Sequence, residues 1–248
     1  MKKTLYLAKE PGLGVRSDLS RISGEVTIVD CNGYGDYYRK KGYNVISKRK
    51  YFELDGTMRF DVVIGNPPYG SGANDAIKFI NKAADFCDDI RMVLPLSMRK
   101  VSCQNKVRLD LVCVEDVKLP DDTFPGSIRT VRQRWVKTNT PRKKIPTVTK
   151  HEDFQYLPYE RRSEADLMIG RTGAGPTGKV KTKDFQDYSP EHYFIKAANQ
   201  TVIDNLVSIE SKLIEVAWKD TNGRPSLSKN DLVDVYSTHF DKHEEQAQ

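Results

Sequence analysis

A four-residue run, Asn66-Pro67-Pro68-Tyr69, combines the groups needed to activate an amino nitrogen that is a poor nucleophile. The lone pair of an exocyclic amine on a nucleobase is delocalised into the ring. The Asn66 side-chain carbonyl and the Pro67 backbone carbonyl can each accept one N–H bond from such an amine. Two acceptors would draw the nitrogen toward tetrahedral geometry and free its lone pair for a methyl electrophile. Tyr69 could stack on a base that has left its helix.

The residues before this run predict where it lies in a fold. Residues 61–65 read DVVIG, a short β-branched run typical of a central strand in a mainly parallel sheet. Two prolines cannot continue the strand, because neither can donate a hydrogen bond to a neighbouring strand. The run therefore follows the carboxyl end of a buried strand, where open α/β sheets bind ligands. The alternative interpretation is a plain Pro-Pro turn, with Asn as turn former and Tyr as packing.

The segment FDVVIGNPPYG resembles the catalytic loop of amino-methyltransferases that use S-adenosylmethionine. Within them it resembles the N6-adenine DNA methyltransferases with an Asn-Pro-Pro-Tyr loop, and a similar order of elements extends from about residue 4 to about residue 138. The resemblance implies S-adenosylmethionine as cofactor, DNA as partner and a flipped target base. It also implies which residues are catalytic: Asn66, Pro67, Pro68 and Tyr69.

The same resemblance implies a cofactor site with a glycine-bearing turn after the first strand and an acid after the second. Gly12 and Gly14 follow a strand predicted over residues 4–8, and the run EVTIVD ends at Asp30. A rival alignment places the glycine turn at residues 30–35. We favour the first alignment, because the rival leaves too little chain before Asn66 for the three strands and two helices of the fold. The predicted cofactor-binding residues are Glu10, Gly12, Gly14, Asp30, Phe52 and Asn66.

Strand and helix signals alternate along the first half of the chain, which predicts an α/β fold with a doubly wound, mainly parallel sheet of the Rossmann-like methyltransferase type. A further strand is expected within residues 44–52, and others are expected over residues 91–96, 112–119 and 127–137, with a turn at residues 124–126. Helices are expected over residues 15–22 and 36–41. Asn74 or Asp75 is expected to cap a longer helix that runs to about residue 88, with apolar residues at helical spacing.

A basic stretch follows this predicted domain. Residues 124–150 contain no Asp or Glu, and the whole chain carries a net charge of +6 with a pI near 9.0. Such charge is typical of a surface that binds a phosphate backbone, although a solvated face is the alternative. The glycine-rich loop at residues 171–179 either lies on DNA or is a plain linker. The predicted DNA-binding residues are Arg132, Arg134, Arg142, Lys143, Lys144, Arg171 and Lys179.

The C-terminal part predicts two amphipathic helices, one over residues 200–218 and one beginning at Ser228 or Asn230. We therefore expect a catalytic domain at residues 1–138 and, at residues 139–248, a basic loop plus a helical recognition region. The chain has no apolar run of 18 residues and no signal-like start, which predicts a cytoplasmic protein without a membrane span. Its four cysteines lack Cys-x-x-Cys spacing, so no metal site is expected.

These features predict an enzyme that transfers a methyl group from S-adenosylmethionine to the N6 amino group of adenine in DNA. Methylation of RNA or of protein glutamine is a second hypothesis, since enzymes with the same loop perform both. The basic stretch favours nucleic acid over protein. A third hypothesis is a non-catalytic DNA-binding protein on a decayed methyltransferase fold, because the turn at residues 10–14 departs from the family's Phe-x-Gly-x-Gly pattern.

Overall fold

The computed structural model describes residues 1–8, 19–124, 128–173, 177–185 and 187–241. The chain divides into two compact units, which we call unit 1, Met1–Ile145, and unit 2, Pro146–Gln248. The division therefore falls after residue 145, whereas the sequence placed the end of the catalytic domain at residue 138. Within the described ranges, no helix has the length and apolarity needed to cross a membrane.

Unit 1 is built on a seven-stranded sheet whose strand order is β3-β2-β1-β4-β5-β7-β6. Strands β1 to β5 pair in parallel, and β7 runs antiparallel to both of its neighbours. This confirms the predicted mainly parallel α/β sheet. The strands are β1 Lys3–Ala8, β2 Glu25–Asp30, β3 Asn44–Ser47, β4 Val62–Gly65, β5 Asp89–Pro95, β6 Leu111–Lys118 and β7 Thr130–Lys137.

Four helices accompany this sheet in the described part of unit 1: α1 Gly35–Lys40, α2 Lys48–Glu53, α3 Asn74–Ala83 and α4 Val101–Gln104. The buried face of α3 packs with one face of the sheet, where Leu7, Val63 and Phe79 are fully enclosed. Burial of each such side chain contributes about 1.5–3 kcal/mol to folding. A smaller cluster around Tyr6 and Tyr38 lies on residues of β1 and α1. Both clusters fix the strands whose carboxyl ends carry the predicted site.

One local prediction in unit 1 is confirmed and one was wrong. The strand expected within residues 44–52 is β3, which ends at Ser47 because the Ser47 side chain accepts a hydrogen bond from the Lys50 backbone N–H and caps α2. Phe52 therefore lies on a helix. Neither Asn74 nor Asp75 caps α3, since the cap position is Ala73 in a left-handed conformation, and α3 ends at Ala83 rather than near residue 88.

In its described residues, unit 2 combines a four-stranded antiparallel sheet with three α-helices, and the sequence analysis missed the sheet. The strand order is β10-β9-β11-β8, which leaves β8 at an edge. The strands are short, so their apolar pattern does not stand out from a buried loop in the sequence. They are β8 Phe154–Leu157, β9 Leu167–Gly170, β10 Val180–Lys181 and β11 His192–Ala197.

The three helices of unit 2 are α5 Gln200–Ser208, α6 Glu210–Lys219 and α7 Lys229–Phe240. The single helix predicted over residues 200–218 is divided at Ile209, whose φ of −94° and ψ of 8° depart from helical values. Ser228 caps α7 as predicted: its side chain accepts from the Asp231 N–H, and the Asp231 side chain accepts from the Ser228 N–H.

Candidate active site

The chain leaves β4 through a position that only glycine can occupy. Gly65 has a φ of +147°, and a Cβ there would lie 2.4 Å from the Leu7 carbonyl oxygen. The next residue, Asn66, donates its backbone N–H to that same oxygen at 3.3 Å. The first residue of the predicted catalytic run is therefore fixed against the carboxyl end of β1.

The far end of the run is fixed to α3. The Tyr69 carbonyl accepts hydrogen bonds from the backbone N–H groups of Asp75 at 3.1 Å and Ala76 at 3.3 Å. Gly70 has a φ of +67°, and a Cβ there would lie 2.7 Å from the Asp75 carboxylate. Because both ends are tied to regular elements, Asn66, Pro67, Pro68 and Tyr69 form a short, rigid loop at the carboxyl edge of the sheet.

The Asn66 side chain carries an unpaired acceptor. Its Oδ1 is buried and has no hydrogen-bond partner among the described residues. The side-chain amide of Asn66 is hydrogen-bonded to the Tyr69 hydroxyl, which orients the amide plane. A buried carbonyl without a donor costs about 1–3 kcal/mol, so most such groups in proteins have a partner. Asn66 thus presents an acceptor that a ligand with an N–H group would satisfy.

Tyr69 is built for packing and orientation rather than for proton transfer. Burial raises the pKa of its hydroxyl well above the ordinary value of 10.0, and the hydrogen bond from Asn66 opposes this only in part. The hydroxyl therefore stays protonated at neutral pH. The ring is half-buried and packs against the main apolar cluster of unit 1. These properties agree with a ring that stacks on a planar ligand and holds Asn66 in place.

Asp30 ends β2 and holds the turn that follows it. Burial of the carboxylate would raise its pKa, but backbone N–H donors outweigh this, and the pKa lies below the ordinary 3.8. Among the described residues, Oδ1 accepts three of these hydrogen bonds and Oδ2 accepts one, at 2.9 Å, from Gly35. A carboxylate oxygen with one donor can accept another. The ionised Oδ2 can therefore accept a hydrogen bond from a hydroxyl group of a ligand.

The remaining predicted cofactor residues are less completely defined. Glu10, Gly12 and Gly14 lie outside the described residues. Strand β1, which our alignment takes as the strand before the glycine turn, lies between β2 and β4 in the sheet. The rival glycine turn at residues 30–35 follows β2 instead. Phe52 is partly exposed on α2, and its ring lies 4.9 Å from that of Phe79 between centroids.

Three of the predicted DNA-binding arginines have partners within unit 1. Arg132 pairs with Glu115 at 2.8 Å and Arg134 pairs with Asp89 at 2.9 Å, both across neighbouring strands. The Arg142 guanidinium donates to three backbone carbonyls, those of Gln104, Val107 and Leu111. We therefore correct the prediction for Arg142, because its donors hold residues 104–111 and leave little for a phosphate.

The other predicted DNA-binding residues remain accessible. Lys143 and Lys144 are exposed, and no ion pair within the described residues includes them. Lys179 is also exposed, and the exposed Arg171 lies with its guanidinium 5.9 Å from the centroid of the Tyr193 ring. These four cations keep their charge available at the surface.

The glycine-rich stretch at residues 171–179 connects β9 to β10, and its described ends are held by backbone hydrogen bonds. The Gly178 N–H donates to the Gly170 carbonyl at 2.8 Å, and the Arg171 carbonyl accepts from Leu227 at 2.8 Å. A Cβ on Gly178 would lie 2.6 Å from the Ile214 backbone nitrogen of α6. Glycine is therefore needed there for close packing.

One residue near the loop was missed by the sequence analysis. Lys106 donates its ammonium group to the Asn74 side-chain oxygen at 3.0 Å, beside the first turn of α3. Lys106 is far from Asn74 in the chain and belongs to no motif, so no sequence signal could have paired them. It adds a positive charge next to the end of the catalytic loop.

Part of unit 1 is similar in sequence to one known protein family. Residues 15–89 match the Eco57I restriction-modification methylase family, a segment that contains Asp30 and the complete Asn66–Tyr69 loop. A search of curated protein sequences found no match. The family match supports a methyltransferase, with S-adenosylmethionine as its cofactor.

Solved structures with similar folds are also described as methyltransferases. A putative RNA methyltransferase from Pyrococcus horikoshii is 21% identical with a TM-score of 0.41, over 57% of this chain and 75% of that one. A putative SAM-dependent methyltransferase from Streptococcus mutans is 14% identical with a TM-score of 0.40, over 54% of this chain and 44% of that one. A putative methyltransferase complexed with SAH is 14% identical with a TM-score of 0.39, over 54% of this chain and 45% of that one. Neither a substrate nor a family follows from similarity at this level.

Proposed function

We propose that the protein transfers a methyl group from S-adenosylmethionine to the N6 amino group of adenine in DNA. The observation that carries the proposal is the buried, unpaired Asn66 Oδ1 in a rigid loop at the carboxyl edge of the sheet. An N–H donor on the substrate is the natural partner for that oxygen. An exocyclic amine has two N–H groups, and the Pro67 carbonyl beside Asn66 would accept the second.

Each residue of the loop has a separate role in this proposal. Asn66 and Pro67 hold the amine and draw its lone pair out of conjugation with the ring, an effect that is greatest in the transition state. Tyr69 stacks on the base and fixes the Asn66 amide through its hydroxyl. The cofactor, when bound, supplies an electrophilic methyl group. The amine loses its proton to water after the transfer, so the loop needs no general base.

The cofactor would be held by residues near the carboxyl ends of β1 and β2. Asp30 would accept a ribose hydroxyl on its less occupied oxygen, Oδ2. Phe52 offers a partly exposed ring for the adenine of the cofactor. Glu10, Gly12 and Gly14 keep the roles that the family resemblance gives them. The family match over residues 15–89 supports the placement of Asp30 and Phe52, because it spans both of them, and it begins after Glu10, Gly12 and Gly14.

The choice of DNA rests on charge and on the family match. The exposed cations Lys143, Lys144, Arg171 and Lys179 would contact phosphates, and restriction-modification methylases act on DNA. Arg132 and Arg134 would make weaker contacts with DNA, because each is already paired with an acid, Glu115 or Asp89. Both ion pairs are partly exposed, so a phosphate could compete with the acid for the guanidinium.

Product analysis tests the proposal directly. The purified chain is incubated with S-adenosylmethionine carrying a deuterated methyl group and, in separate reactions, with duplex DNA, single-stranded DNA and RNA. Nucleosides from each digest are then separated by mass. We expect deuterated N6-methyladenine from DNA and none from the Asn66→Ala variant. A labelled product from RNA alone, or on a different base, would contradict the DNA-adenine assignment while retaining a methyltransferase.

A further inference from the structure

A cleft in unit 2 lies beside the edge strand β8. It is lined by Thr149, Lys150, His151, Phe154, Gln155 and Tyr156 on one side and by Lys229, the first residue of α7, on the other. The lining contains two lysines and no carboxylate. Among the described residues β8 pairs with β11 alone, so an extended ligand can approach the cleft along the outer edge of the sheet.

The two lysines of this cleft differ from most arginines of unit 1. Lys150 and Lys229 are exposed, and within the described residues neither is part of an ion pair. The Lys229 ammonium lies 4.3 Å from the centroid of the Tyr156 ring, an aromatic face that does not neutralise its charge. Both ammonium groups therefore retain their capacity to donate to an anion.

The walls of the cleft are held in place by hydrogen bonds of their own. The Val148 N–H donates to the Asn230 side chain at 2.8 Å, which brings residues 148–150 to the first turn of α7. His151 contacts the Asp241 carboxylate at 3.1 Å and stacks on Phe154 with the ring planes 11° apart. The nearby acid Asp153 accepts from the Tyr236 hydroxyl at 2.8 Å. Asp153 and Asp241 are thus engaged, whereas neither lysine is part of an ion pair among the described residues.

Tyr156 adds a second, independent sign of a ligand. Its hydroxyl is buried and has no hydrogen-bond partner among the described residues. Unpaired buried hydroxyls are uncommon because they lose their hydrogen bonds to water without replacement. A ligand oxygen in the cleft would supply the missing partner.

We infer that this cleft binds a backbone phosphate of the nucleic acid on which the protein acts, with Lys150 and Lys229 as the charged groups and the Tyr156 hydroxyl as a neutral donor. The inference rests on the proposed function for its ligand, which is DNA. It assigns to unit 2 a sequence-independent role, since hydrogen bonds to phosphates fix position and carry no base information.

Binding of a short, fluorescently labelled DNA duplex, measured by anisotropy over a range of salt concentrations, tests the inference. We expect Lys150→Gln with Lys229→Gln to weaken binding roughly tenfold. The slope of log affinity against log salt should flatten by about 0.9 for each phosphate that the variant no longer neutralises. The matched control is Lys196→Gln with Lys212→Gln, which removes the same charge from unit 2. Those lysines pair with Asp166 at 2.7 Å and Glu215 at 3.1 Å.

A second variant tests the role of the Tyr156 hydroxyl. Tyr156→Phe removes an unpaired group, so the melting temperature should stay the same or rise while DNA binding weakens. The inference is overturned if both lysine pairs change affinity equally, because general charge then explains the result. It is also overturned if the Lys150 and Lys229 pair leaves affinity and salt slope unchanged.

Binding and methyl transfer fail in distinguishable ways. If the wild-type chain binds DNA through these lysines but does not methylate it, the phosphate site in the cleft is retained and the proposed function is contradicted. If the chain methylates DNA and the lysine variants bind it like the wild type, the proposed function is retained and the phosphate site is contradicted. Tighter binding to an RNA duplex with the same dependence on the lysines would support the phosphate site and overturn DNA as the substrate.

Discussion

The Asn66–Tyr69 loop and the basic strand β7 of unit 1 differ in what they leave for a ligand. In the loop, the Asn66 side-chain oxygen is buried and unpaired among the described residues. On β7, Arg132 and Arg134 are paired with acids, and Arg142 beyond the strand is bonded to three carbonyls. A group whose hydrogen bonds are already made stabilises the fold, whereas a buried group without a partner points to a substrate. Residue type alone does not separate the two cases.

The loop should show the largest effect when this comparison is tested. Asn66→Ala removes the acceptor that the transition state uses, so methyl transfer should fall by about 100-fold or more. The melting temperature should fall only slightly, because the oxygen that is removed accepts no hydrogen bond from the described residues and the amide loses one neutral hydrogen bond, to the Tyr69 hydroxyl. Asn74→Ala, on the neighbouring turn, is the control and should retain most activity. A rate for Asn66→Ala within threefold of wild type would remove Asn66 from the mechanism.

In the basic stretch, loss of the Arg142 guanidinium should affect stability rather than activity. Arg142→Ala leaves three backbone carbonyls without their charged donor, and we expect the free energy of unfolding to fall by about 2–3 kcal/mol. Arg132→Ala removes only an exposed ion pair and should change that free energy by less than about 0.5 kcal/mol. Urea unfolding measures both. Equal losses from the two variants would show that the guanidinium of Arg142 is not structural.

A smaller effect separates the two roles of Tyr69. Tyr69→Phe keeps the ring and removes the hydroxyl that orients the Asn66 amide. Loss of one neutral hydrogen bond is worth about 1 kcal/mol, so turnover should fall roughly five- to tenfold. Tyr69→Ala also removes the stacking surface and should cost considerably more. If Tyr69→Phe is as active as the wild type, the hydroxyl has no part in positioning Asn66.

The smallest expected effect concerns Asp30 and pH. Its pKa is lowered in the folded chain, so the carboxylate contributes stability that is present above the ordinary pKa of 3.8 and is lost as the pH falls through the lower, folded value. The difference in unfolding free energy between wild type and Asp30→Asn should be constant near neutral pH and shrink in acid. Asp36→Asn, whose partner Arg39 is exposed, is the control. A difference that grows in acid would contradict this role.

The sequence predicted what depends on local pattern and missed what depends on pairing across the fold. The strand before Asn66 and the Ser228 cap were predicted correctly, because a β-branched run and a capping residue act within a few positions. The absence of acids over residues 124–150 suggested free charge, yet Glu115 and Asp89 come from neighbouring strands to meet Arg132 and Arg134. The pairing of Lys106 with Asn74 could not be predicted for the same reason.

The most direct test is a crystal structure of the chain with S-adenosylhomocysteine and a DNA oligonucleotide that contains the methylated adenine. The account predicts an adenine outside the duplex, stacked on Tyr69, with its N6 nitrogen about 3 Å from the Asn66 Oδ1. A complex in which that oxygen remains unpaired, or is satisfied by a protein group while the base lies elsewhere, would contradict the central role given to Asn66.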